Sequence, residues 1–97
     1  MSSKVLPAGA RIRAADDIMA SAFEAELVLL NLRDGVYYGL EGVASRIWSL
    51  IQRPATVADI RDAIVAEYDV DPKRCEADLE LLLEELVERG LAVVHAR

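Results

Sequence analysis

Apolar positions along this chain follow two different periods, and the change of period divides it. Ile18–Ala22 and, more strongly, Glu26–Leu32 (ELVLLNL) are runs of branched and aliphatic residues of strand length. The second run ends in polar Arg33, Asp34 and Gly35. Asp34-Gly35 is a turn dipeptide, because glycine takes positive φ at little cost and aspartate tolerates it. Glu26–Leu32 is therefore expected to pair with Val36–Leu40 as a hairpin. Alternation places Val36, Tyr38 and Leu40 on one face of the second strand and Tyr37 and Gly39 on the other.

After Gly42 the period becomes helical. Val43, Ile47, Leu50 and Ile51 share a stripe, with Ala44 and Trp48 beside it, and Arg53-Pro54 closes the segment. Thr56 followed by Asp59 reads as a capping box with a shortened acid, and Val57, Ile60, Ile64 and Tyr68 then recur along a second helix running to about Glu67. Asp71-Pro72 opens a third helix, with aspartate as N-cap and proline where its missing N–H costs nothing. Leu79, Leu82, Leu83, Leu86 and Val87 follow at helical spacing until Gly90 ends it. Leu91–His95 is expected as a short terminal strand. The predicted organisation is a flexible arm over residues 1–15 and one α+β domain over 16–97, a three-stranded antiparallel sheet followed by three helices in the manner of a winged helix-turn-helix.

Composition narrows what such a domain does. At 97 residues and 54% hydrophobic, the chain is one domain able to bury its own core. Eleven Lys and Arg against seventeen Asp and Glu leave a net charge of −6. A surface of that sign repels nucleic acid and anionic membranes, which are bound through clustered cations. The third helix makes the point locally: Lys73, Arg74 and Arg89 stand against Glu76, Asp78, Glu80, Glu84, Glu85 and Glu88. A DNA-recognition helix of that balance would push phosphates away. The absence of any signal-like apolar stretch and the single cysteine fit a protein that stays in a reducing cytoplasm.

Catalytic chemistry is poorly supplied. His95 is the only histidine and lies two residues from the end, where fraying is expected to spoil the geometry a general base needs. Cys75 lies in the first turn of the third helix, where the dipole favours a thiolate, but the common role of a lone cysteine is that of a small hydrophobe. The acids of the third helix spread over its solvated side, and the glycines match no phosphate loop. Neither an enzyme nor a cofactor or metal site is expected.

The motifs VLLNLRDGVYYGLEGVASRIWSLI, TVADIRDAIVAEYDVD and ADLELLLEELVERGLAVV, in this order, resemble the PqqD-like family of leader-peptide recognition domains. The resemblance covers roughly residues 5–95. It rests most on Tyr38-x-Leu40, Ile47-Trp48, Thr56 opening the second helix, and Leu86-x-x-x-Gly90-Leu91. One departure is Glu41, where family members often place a capping Asn; Gly42 or water is left to serve the first amides of the next helix. The resemblance implies a non-catalytic protein that captures the leader of a ribosomally made precursor peptide and delivers it to a maturation enzyme. In a lasso-peptide pathway, to which the YYGL and IW segments are most similar, that enzyme is a protease-like leader peptidase acting before a cyclase. A peptide chaperone serving a radical enzyme in quinone-cofactor synthesis is the alternative within the family, and a winged-helix DNA-binding regulator is the alternative outside it.

A physical reading of the residues agrees with peptide capture. An unpaired strand edge offers rows of N–H and C=O groups to another chain. Val36, Tyr37, Tyr38, Gly39 and Leu40 form such an edge, without Lys or Pro to block addition. The flank of the third helix at Arg74, Cys75, Asp78, Leu79 and Leu82 is expected to receive apolar anchors of the peptide. The expected state is a monomer or weak dimer.

Overall fold

The computed structural model describes residues 6, 7 and 9–95. In chain order the elements are β1 (Arg11–Ala14), β2 (Ile18–Phe23), β3 (Glu26–Asn31), β4 (Val36–Glu41), α1 (Val43–Leu50), β5 (Ala55–Thr56), α2 (Val57–Glu67), α3 (Pro72–Glu88) and β6 (Ala92–His95). The expected antiparallel sheet forms in the order β2-β3-β4, with Ile18 opposite Asn31 and Asn31 opposite Val36. Its hairpin turn is the four residues Leu32–Gly35, closed by the Asp34-Gly35 pair: Gly35 takes φ 71° and donates to the Asn31 carbonyl, and the Asp34 carboxylate accepts from the Val36 N–H at 2.9 Å.

The expected flexible arm is corrected in part. Arg11–Ala14 is the central strand of a second three-stranded sheet, in the order β5-β1-β6, and pairs with β6 from Arg11 opposite His95 to Ala14 opposite Ala92. Ile12 is fully buried there, and Leu6 and Ala10 are buried as well. Four residues are too few to show a period, and their partners lie at the other end of the chain. Residues 1–5 and 8 of the arm lie outside the described residues. Pairing also corrects the expectation of a frayed His95, which is half-buried in β6 and accepts a hydrogen bond from Arg13 Nε at 2.8 Å.

The helices start where their caps dictate. Thr56 and Asp59 form the reciprocal box at the head of α2, Oγ1 accepting from the Asp59 N–H and the Asp59 carboxylate from the Thr56 N–H. That second bond holds the Asp59 carboxyl below its ordinary range. The Asp71 carboxylate accepts from the Arg74 N–H at 3.0 Å, with Pro72 at the first helical position. Gly42 is the N-cap of α1, with φ 60° and no side-chain cap, as the glutamate before it leaves open.

Both sheets and all three helices close over one core. Leu29 and Leu40 meet Ile47, Trp48 and Ile51 of α1, Ile60 and Ile64 of α2, and Leu79, Leu83 and Leu86 of α3, with Ile12, Leu91 and Ala92 beneath. Two bridges tie the helices at the surface: Arg46 to Glu67 through both carboxylate oxygens, and Arg61 to Glu76 at 2.6 Å. Truncating Ile12 to Ala should cost about 2–5 kcal/mol, as for other buried large-to-small changes, in urea unfolding; a mobile arm would leave the midpoint unmoved.

Candidate functional site

A single hydrogen bond sets the phase of the hairpin sheet. The Leu32 N–H donates to the Asp17 carbonyl at 2.9 Å, and these residues lie directly opposite in the β2–β3 register. In an antiparallel ladder, bonded and non-bonded pairs alternate. Glu26, Val28 and Leu30 therefore turn their backbone groups toward β2, while Leu27, Leu29 and Asn31 turn theirs toward β4. It follows that Tyr38 and Leu40 spend their N–H and C=O groups on β3, as Val36 does its carbonyl, while the Val36 N–H is taken by Asp34. Tyr37, Gly39 and Glu41 direct theirs to the outer edge of β4, which pairs with no strand among the described residues.

That edge looks across a groove to α3. One recess of about 610 Å3 is lined by Val36, Tyr37, Tyr38, Gly39, Leu40 and Glu41 from the strand, and by Leu82, Glu85, Leu86 and Arg89 from the helix. A second, of about 400 Å3, lies between α1, α2 and α3 and is lined by Val43, Ala44, Ile47, Ile64, Val70, Asp71, Arg74, Cys75, Asp78, Leu79 and Leu82. Ala44 and Leu82 belong to both, so the two recesses run together into one trough. All ten residues singled out from the sequence line it: Val36 to Leu40 at the strand end, Arg74, Cys75, Asp78 and Leu79 at the helix end, and Leu82 at the junction. Leu79 is its buried floor.

The rim is charged and the interior apolar. Arg74 and Asp78 lie 3.9 Å apart at one end, both largely exposed. At the other, the Arg89 guanidinium lies 5.2 Å from the Tyr38 ring centroid while its Nε donates to Glu85 at 3.0 Å. Tyr38 and then Glu85 raise the pKa of Arg89. The width of the trough at this end is set by the hairpin turn. Asn31, buried to 2% exposure, donates from Nδ2 to the Arg89 carbonyl and accepts the Arg33 N–H at Oδ1, and the Arg33 guanidinium donates to the Gly90 carbonyl. These two side chains take up carbonyls that the end of α3 leaves without helical partners.

An open strand edge beside an apolar trough can bind an extended chain. A family model, that of coenzyme PQQ synthesis protein D (PqqD), matches residues 26–92. The chain belongs to the PqqD family. It is similar to a solved structure described as TbiB1 in complex with the TbiA(beta) leader peptide, at 40% identity over 82% of this chain and 93% of that one, with a TM-score of 0.76. It is also similar to a lasso peptide synthetase B1 complexed with the leader peptide, at 28% identity over 84% and 96% of the two chains, with a TM-score of 0.75. No curated protein matches it.

Several groove residues of this PqqD-family chain were not legible in the sequence. Val43, Ala44, Ile47 and Ile64 read there only as helix stripes, and Glu85 and Arg89 as a solvated helix face. Their apolar or charged character was visible, but which side of each stripe stays open depends on how α1 and α2 cross α3. The place a side chain at Gly39 would take lies 2.8 Å from a Glu26 carboxylate oxygen, so the glycine leaves room for Glu26 on the outer face of the sheet. Among the described residues no cluster of His, Cys, Asp or Glu could hold a metal ion.

Cys75 lines the trough without the character of a nucleophile. Burial, and next the nearby Asp78 charge, push its thiol pKa up. These outweigh the helix dipole considered above, and the thiol stays protonated at neutral pH. Its alkylation by iodoacetamide should be slower at pH 7 than that of an unfolded cysteine, and the pH–rate curve should rise at higher pH than in the urea-unfolded chain.

Proposed function

We propose that this protein captures the leader region of a ribosomally made precursor peptide as an added strand on β4, and delivers it to a maturation enzyme. The reading rests above all on the outward-facing backbone groups of Tyr37, Gly39 and Glu41 beside an apolar trough. The two similar solved structures described above are complexes with leader peptides, and the second, a lasso peptide synthetase B1, favours a lasso-peptide pathway, in which the enzyme served is a protease-like leader peptidase working with a cyclase. The protein itself performs no chemistry in this scheme: its thiol is held protonated and its histidine is engaged by Arg13.

Geometry dictates how the peptide would be read. A strand added at Tyr37, Gly39 and Glu41 sends alternate side chains inward over Tyr38 and Leu40, toward Leu82 and Leu86. Each main-chain hydrogen bond contributes a net ~0.5–1.5 kcal/mol and carries no sequence preference. Selectivity comes from the trough, where burying about 200 Å2 of apolar surface contributes about 5 kcal/mol against about 2–5 kcal/mol for ordering the peptide. A leader with two or three apolar residues at alternate positions, followed by an anchor for the recess near Cys75 and Leu79, matches this surface.

Tyr37→Pro removes one outward donor at a position where an edge strand accepts proline. Leader affinity, read by fluorescence polarisation, should fall about tenfold, equivalent to about 1.4 kcal/mol. Gly39→Pro removes another donor but also displaces Glu26, so it is interpretable only beside an unchanged thermal melt. Unaltered affinity in a folded Tyr37→Pro protein would exclude this edge. Asp78→Arg should change affinity through the rim of the second recess; an unchanged value would confine the peptide to the β4 end. In a mobility-shift assay the protein should leave labelled duplex DNA unretarded, and salt-sensitive retardation without any response to leader peptide would overturn the reading.

A further inference from the structure

The hairpin sheet sets two like charges against each other beside its open edge. Glu26 and Glu41 are directly opposed in the β3–β4 register, and Val28 and Gly39 are the next opposed pair on the same face. With the ladder phase set by the bond from Leu32 to Asp17, both are non-hydrogen-bonded pairs, the spacing at which opposed side chains come closest. Like charges in such a pair destabilise a sheet. Neither carboxylate is in an ion pair among the described residues, and β2, β3 and β4 carry no lysine or arginine that could offset the repulsion. Glu26 is also turned toward the neighbouring strand. Its Oε2 lies 2.8 Å from the place a Cβ of Gly39 would take, so the side chain leans over the glycine in the direction of the unpaired edge.

We propose that Glu26, reaching over Gly39, is a specificity-determining residue that selects a lysine or arginine of the captured leader at the position opposite Gly39. This rests on the peptide-capture reading and adds to it the one charge that the added strand carries. Tyr37, Gly39 and Glu41 turn their backbone groups to the open edge, so the leader residue opposite Gly39 would lie on the outer face, the face of Glu26. Glu26 on β3 and that residue would then flank β4 from its two sides, about 10 Å apart between backbones. A side chain at position 39 would stand between them. With glycine there, a glutamate leaning in from one side and a long cationic side chain from the other can meet across the strand, and Glu41 offers the cation a second carboxylate. The leader residues before and after this one point inward over Tyr38 and Leu40, which makes the recognised pattern apolar, basic, apolar at three successive positions. Main-chain bonds read no sequence and the trough reads only apolar character. The two carboxylates add discrimination of another kind, because an acidic residue at the middle position would meet like charge.

The test uses the full chain and a fluorescein-labelled leader peptide, read by fluorescence polarisation, with copies of that peptide in which each lysine or arginine in turn is replaced by glutamate. Glu26→Gln should weaken leader binding about two- to fivefold, the range of an exposed ion pair. Glu26→Lys should weaken it further, since repulsion replaces attraction. Both variants should melt no lower than the wild type, because each removes the opposition with Glu41; a residue with a purely structural role would lose stability and affinity together. One peptide copy, altered between two apolar residues, should bind the wild type weakly and regain affinity for the Glu26→Lys protein. Wild-type affinity for the unaltered leader in the folded Glu26→Gln and Glu26→Lys proteins would overturn the proposal, as would a set of copies of which none is rescued by Glu26→Lys. Failure of the wild-type protein to bind leader, or undiminished binding by a folded Tyr37→Pro protein, would instead overturn the peptide-capture reading beneath it.

Discussion

Asn31 is the one buried polar side chain among the described residues, and the shape of the trough depends on it. It lies at the end of β3, where the hairpin turn meets the end of α3. From there it bonds the Arg89 carbonyl and, with Arg33, joins the turn to the helix terminus. A buried amide is costly without partners, so this position specifies one relative placement of sheet and helix. Apolar contacts alone are less directional and tolerate small slides. At the other end of the gap between β4 and α3, the two recesses meet at Leu82.

The division of apolar residues follows from that placement. Leu79, Leu83 and Leu86 are buried, whereas Leu82, one position off the same stripe, is only half-buried and lies where the two recesses meet. The helix thus buries one flank in the core and leaves a neighbouring one open to the trough. The strand divides its groups in the same way: Tyr38 and Leu40 satisfy β3 with their backbones, while Tyr37, Gly39 and Glu41 turn theirs to an edge that pairs with no strand among the described residues. The open edge and the ladder use adjacent residues of opposite parity. A peptide can therefore be added without taking a hydrogen bond from the sheet.

The charge distribution completes the separation of tasks. Acidic groups lie along the solvated side of α3 and at one end of the outer sheet face, and the trough interior is apolar. Arg74 and Arg89, which stand at opposite ends of the trough, are each engaged with an acid of the same helix. These cations position themselves against neighbours and do not form a phosphate-binding stripe, in keeping with the negative charge of the whole chain.

Local chemistry was enough to specify the hairpin, the three helices and their caps. Asp34-Gly35, Thr56 with Asp59, and Asp71-Pro72 each satisfy backbone groups within a few residues of themselves, so their meaning does not depend on the rest of the fold. The ten groove residues were also legible, because an edge strand and an apolar helix flank carry their own patterns. What the chain could not reveal by itself was anything requiring two distant segments. Arg11–Ala14 is a strand only because β6 and β5 come to it, and Ile12 is buried only for that reason. The contributions of Val43, Ile47 and Ile64 to the trough depend on how helices cross. Gly39 has its value from Glu26 on the facing strand. Period and capping are properties of neighbours in sequence, whereas an open edge, a groove and a buried partner are properties of neighbours in space, and only the folded chain determines them.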